Sequence, residues 1–183
     1  MARNDSQEYL VGLLHELCQL PRETEWVEFK CNNFKPDEIG ENISALANSA
    51  ALFGKTSAYI VWGVTDENHD VVGTILRLSQ IKKGNEEIES WLLRHLQPKI
   101  HFHIIEFEVD GNQVSMIEIP RASHQPVRFK GVEYLRIGSC TKKIKEYPEK
   151  ERKLWRIFDV TPFERQVAEG RVHGSEVLKR LDY

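Results

Sequence analysis

Ser57-Ala58-Tyr59-Ile60-Val61-Trp62-Gly63-Val64 is the stretch from which the fold is read. Its apolar residues do not alternate with polar ones, so the strand it predicts is covered on both faces. A polar turn follows, Thr65-Asp66-Glu67-Asn68-His69-Asp70, and Val71-Val72-Gly73 reads as a short return strand closing a hairpin. Such a strand needs a layer on each side, and the flanking sequence supplies candidates. Over residues 37–52, Ile39, Ile43, Leu46 and Ala47 recur at helical spacing. Pro36 and Asp37 stand at the start of that helix, where proline and an acid are favoured, and Gly54 is a plausible stop. Small residues from Ala45 onward let the helix lie close to a sheet.

Further upstream, Tyr9, Leu10, Leu13, Leu14 and Leu17 predict a helix over 6–19 that ends before Pro21. Glu25-Trp26-Val27-Glu28-Phe29-Lys30 alternates and predicts a strand, with Val27 and Phe29 on one face and Glu28 and Lys30 on the other. Downstream, residues 85–96 suit a helix. Residues 100–109 and 113–119 form a hairpin across Asp110-Gly111-Asn112. Val127 to Phe129 and Val132 to Ile137 are short strands, Ser139-Cys140-Thr141 reads as a strand-ending turn, and 147–158 is helical. The four tryptophans fall in these patterns as core. The expected fold is α+β, a mixed sheet of about six strands packed with three to four helices. It is not the regular alternation of a doubly wound domain. Residues 1–158 are read as one domain and 159–183 as a helical extension or a linker to a further domain.

Composition is that of an ordinary globular chain, 40% hydrophobic and 29% charged. No apolar run is long enough to cross a membrane. Cys18, Cys31 and Cys140 are odd in number and far apart, which implies a reducing cytoplasm and not a disulfide framework. The net charge of −3 hides an asymmetry. Residues 1–120 hold 10 Lys/Arg against 19 Asp/Glu, whereas residues 121–156 hold 11 against 4. A phosphate backbone responds to such a local basic segment, so the acidic average does not exclude nucleic acid. Arg128, Lys130, Arg136, Lys142, Lys143 and Lys145 are the candidate phosphate contacts, with Phe129 and Tyr134 as stacking residues. The plain alternative is a solvated surface offset by the acidic half.

A second constellation is acidic. Glu23, Glu28 and Asp66, with Lys30 beside them, would converge if the chain reverses before the 25–30 strand. Three carboxylates suit Mg²⁺ or Mn²⁺, whose bound water attacks a phosphodiester, with Lys30 on the phosphate. The competing reading is the solvated face of an edge strand. His101 and His103 share a strand face but lack a third metal ligand, and Cys140 lacks a base.

Taken together, these segments resemble the Schlafen AlbA-like family. Glu23-Thr24-Glu25-Trp26-Val27-Glu28-Phe29-Lys30 resembles its opening Glu-x(4)-Glu-Phe-Lys motif, and Ile43-Ser44-Ala45-Leu46-Ala47-Asn48 its alanine-rich helix ending in Asn. The family's following Gly-Gly turn is replaced here by a longer helix end through Ala50 and Ala51. Tyr59 to Asp66 resembles its LxxGVxD motif, Val71-Val72-Gly73 the next, and Pro126 to Gly131 with Tyr134 to Thr141 its closing motif. The resemblance spans about residues 20–145. It implies an α+β, nucleic-acid-binding domain of a transcriptional regulator, acting on DNA or RNA without a required cofactor. It also implies an ATPase-like or winged-helix region further along the chain. Vertebrate relatives with two copies form a horseshoe-shaped ribonuclease using three carboxylates. By position these resemble Glu23, Glu28 and Asp66, with Glu67 able to replace Asp66, and a homodimer would rebuild the two-lobed cleft. The alternative function is therefore a Mg- or Mn-dependent endoribonuclease.

Overall fold

The computed structural model describes residues 6–21 and 24–159. Helix α1 spans Gln7–Cys18, capped by the Ser6 hydroxyl, which accepts the Tyr9 N–H at 3.3 Å. Strand β1 is Val27–Lys30, helix α2 Pro36–Leu52 and strand β2 Ser57–Trp62. A two-residue ladder, β3 (Lys82–Lys83) with β4 (Glu86–Glu87), leads into α3 (Ile88–His95) and β5 (Leu96–Gln97). The hairpin β6 (His103–Val109) and β7 (Asn112–Pro120) follows, then β8 (Arg128–Phe129), β9 (Val132–Ile137), β10 (Cys140–Lys143) and α4 (Pro148–Asp159).

The fold is α+β. Eight of the described strands divide between two four-stranded sheets, ordered β1-β2-β7-β6 and β10-β9-β8-β5. In the first, β1 runs parallel to β2 and the other pairs are antiparallel. Helix α2 lies between the sheets, against β2 and β7 of one and β8 and β9 of the other. That position explains its composition. Ile39, Ile43 and Leu46 are fully buried, and Gly40 lies so close to the Phe129 ring that a Cβ there would overlap it. Helix α1 covers the far face of the first sheet, where Leu10, Leu14 and Leu17 meet Val27, Phe29, Tyr59, Val61, Val114 and Met116. Strand β2 is thus apolar on both faces because a helix packs on each.

The buried polar residues of α2 join it to the second sheet. Asn48 Nδ2 donates to the carbonyls of Val127 (3.0 Å) and Tyr134 (2.8 Å), while its Oδ1 accepts the Val127 N–H (2.8 Å). Ser44 Oγ donates to Val127 O (2.7 Å) and accepts from Tyr134 N–H, and Ser49 Oγ accepts the Arg136 N–H (3.0 Å). Backbone groups that would otherwise be buried without partners are satisfied by the helix.

Two local expectations change. Val71 to Gly73 forms a single bridge, Val64 with Val71, and not a strand. Gly63, at φ +100°, turns the chain so that its carbonyl accepts both the Val72 and Gly73 N–H groups. The returning segment therefore pairs with the residues just after β2 and not with β2 itself. Ser139-Cys140-Thr141, expected as a strand-ending turn, instead opens the edge strand β10, Cys140–Lys143. It carries no apolar alternation because Cys140, Lys142 and Lys143 face solvent. The helical pattern at 175–181 lies outside the described residues.

Candidate nucleic-acid interface

The acidic opening motif sits at the junction of the two sheets. In β1, Val27 and Phe29 enter the core under α1, so alternation turns Glu28 and Lys30 toward α2. Glu28 Oε1 lies 3.2 Å from Lys30 Nζ, and Glu28 Oε2 accepts from Arg136 Nη2 of β9 at 2.5 Å. Lys30 also donates to Glu38 at 2.8 Å, and that bond holds the Glu38 carboxyl below its ordinary range. Arg136 Nη1 reaches Thr141 Oγ1, which donates to Asn42 Oδ1 at 2.7 Å. Glu25 accepts the Gly138 N–H at 2.9 Å. The result is a buried network that links β1, α2, β9 and β10.

This arrangement corrects several expectations. Lys30 and Arg136 have side chains only 8% and 3% exposed, so neither presents its charge to a phosphate backbone. Phe129 and Tyr134 are buried and offer no face to a base. The Tyr134 hydroxyl donates to Glu41, and burial first, then that carboxylate, pushes its phenol up to about 12. Asp66 and Glu67 are exposed in the turn after Thr65. Three residues on from Asp66, His69 anchors the same turn, its ring packing 4.5 Å from Phe29, on the face of β1 opposite Glu28. Glu23 lies outside the described residues. Among the described residues no three His, Cys, Asp or Glu side chains group to hold a metal. A cation at Glu28 would have to displace Lys30 and Arg136 from its carboxylate.

The exposed cations gather elsewhere, around the β8–β9 hairpin. Its turn is Lys130-Gly131, with φ of +49° and +78°. On one side lies a groove of about 640 Å³ lined by Arg94, His95, Gln97, Lys99, Gln125 and Lys130. On the other a groove of about 390 Å³ is lined by Arg128, Glu133, Lys143, Lys145 and Glu151. Gly131 borders both. Arg128 pairs with Glu133 at 2.8 Å and Arg94 with Glu86 at 2.6 Å. Lys99, Lys142, Lys143 and Lys145 are exposed and have no ion pair among the described residues.

Asp37, in the first turn of α2, reaches the same hairpin. Lys83 Nζ donates to its Oδ2 at 2.8 Å, and Lys130 donates to its Oδ1. These hydrogen bonds, that from Lys130 foremost, bring the Asp37 carboxyl down to about 2. Arg94, Lys99 and Lys83 were not singled out from the sequence. They fall in the acidic block, and only the pairing of β5 with β8 brings their segment beside the basic one.

Comparison with known families decides the relationship. A model of the family described as Schlafen, AlbA_2 matches residues 23–145. The chain belongs to this Schlafen AlbA_2 family. No curated protein matches the sequence. The crystal structure of the DIP2311 protein from Corynebacterium diphtheriae aligns with a TM-score of 0.48 and 16% identity, over 81% of this chain and 29% of that one. This chain therefore spans less than a third of that structure's length. The solution structure of the N-terminal domain of an ATP-dependent DNA helicase RecG-related protein from Nitrosomonas europaea aligns with a TM-score of 0.45 and 22% identity. That alignment covers 72% of this chain and 90% of the other.

Within this Schlafen AlbA_2 domain, the motif residues sort by burial. Glu28, Lys30, Asn48, Arg136 and Thr141 bond the two sheets and α2 together. Of the cations lining the grooves beside Gly131, Lys99, Lys143 and Lys145 have no ion pair among the described residues, whereas Arg94, Arg128 and Lys130 are paired with acids.

Proposed function

We propose that this Schlafen AlbA_2 domain binds the sugar–phosphate backbone of DNA or RNA along the two grooves that meet at Gly131. The observation that carries the reading is the meeting of the two grooves, whose cations Lys99, Lys143 and Lys145 have no ion pair among the described residues. Membership of a nucleic-acid-related family supports it. Backbone phosphates are met by flexible ammonium groups without base-specific geometry, so affinity and not sequence preference is what this surface supplies. In a longer regulator the domain would bring an ATPase-like or winged-helix neighbour onto nucleic acid, alone or as a homodimer.

The test is fluorescence anisotropy with a labelled DNA duplex and a structured RNA across a salt series. Binding should weaken steeply with salt, and Lys143→Glu with Lys145→Glu should cost about tenfold or more in affinity at low salt. Both side chains are exposed, so the melting temperature should hold. Unchanged affinity in that double variant would remove the assigned surface. The same RNA is incubated with Mn²⁺. Cleavage lost in a folded Glu28→Gln variant would transfer the assignment to an endoribonuclease using Glu23, Glu28 and Asp66.

A further inference from the structure

Three elements separated in sequence converge beside the β8–β9 hairpin: the first turn of α2 through Asp37, β3 through Lys83, and the hairpin turn through Lys130. Each Asp37 oxygen takes one lysine, so a single carboxylate bridges two ammonium groups. Both ammonium groups also lie over the Trp91 indole, Lys83 at 3.8 Å and Lys130 at 5.2 Å from its centroid. Trp91 is 6% exposed and is held by His95 and Phe129, with ring centroids at 4.4 and 5.9 Å. The ring is therefore a fixed, electron-rich platform beneath both cations, attracting each of them independently of Asp37. Asp37 itself is 52% exposed, so an anion arriving from solvent can reach the position its carboxylate fills. Exposed ion pairs are weak enough to exchange. One negative charge against two positive leaves the cluster cationic, and Lys130 continues directly into the groove that Arg94 and Lys99 line.

We propose that Lys83 and Lys130, over Trp91, form a phosphate site in which Asp37 is the resident anion, displaced when a phosphodiester binds. This rests on the nucleic-acid reading above and adds a self-competing contact to it. Asp37 lowers the intrinsic affinity of the surface. It also means that an anion gains the pair of lysines only by exchanging with a carboxylate tethered beside them.

The experiment uses the whole chain, wild type and Asp37→Asn, with two probes. In the first, duplex affinity is read across a salt series. The variant should bind about threefold or more tighter at low salt, with a log–log salt slope steeper by about one. In the second, inorganic pyrophosphate is titrated while the Trp91 indole N–H signal is followed by NMR. The signal should move in both proteins and at lower pyrophosphate concentration in the variant. Equal or weaker duplex binding by the folded variant overturns the proposal. So does a Trp91 signal in the wild type that saturating pyrophosphate leaves in place, a readout that needs no variant. A wild type that binds no nucleic acid yet shows the pyrophosphate response would defeat the broader function and leave the phosphate site standing.

Discussion

Two buried cations share the Glu28 carboxylate, and this decides what a substitution there reports. Glu28→Ala leaves Arg136 buried without its counter-charge, while Arg136 Nε already lacks a partner among the described residues. We expect that change to cost about 3–5 kcal/mol of stability in urea unfolding. Asp66→Ala, at an exposed turn, should cost less than about 0.5 kcal/mol. A comparable small loss at both positions would show that Glu28 is not the counter-ion of Arg136. Activity lost in Glu28→Ala alone therefore says little about chemistry unless folding is measured beside it. The alternation of Val27, Glu28, Phe29 and Lys30 was enough to turn the two charged side chains away from the α1 face. What met them there was not legible, because Arg136 stands 108 residues further along.

At the scale of elements, α2 is where the sequence was most informative and least complete. Its helical spacing, its starting proline and its small residues all read correctly, and they place it close against a sheet. They do not reveal that a second sheet lies on its other side. Ser44, Asn48 and Ser49 carried that information, since polar side chains within a buried helix need partners. The short strands β5, β8 and β10 had too few residues to show a period, so the sheet they build with β9 was not separable from the first. Asn48→Ala removes three hydrogen bonds to Val127 and Tyr134 and leaves their backbone groups buried. Destabilisation of about 2–4 kcal/mol is expected by denaturant titration. A cost below about 1 kcal/mol would mean that the helix and the second sheet are held by apolar packing alone.

For the whole molecule, one helix serving two sheets makes their stabilities a shared property. The main apolar cluster runs from Ile60 and Trp62 of the first sheet through Ile43 and Leu46 to Phe129 and Leu135 of the second. Thermal unfolding should then be a single transition, coincident by far-ultraviolet circular dichroism and by tryptophan fluorescence. Separate midpoints would show that the sheets come apart independently. The basic rim belongs to this scale too, since cations from α3, β8 and the segment after β10 become neighbours only when the second sheet is assembled. The Asn48 bonds carry a consequence for biosynthesis. They join residues 79 and 86 positions apart, so α2 leaves the ribosome well before the backbone it must satisfy has been made. Until residue 134 emerges, the nascent chain holds a helix with its amide and hydroxyl groups unmatched and its apolar sides open. That interval is when it is most exposed to aggregation and most in need of a chaperone.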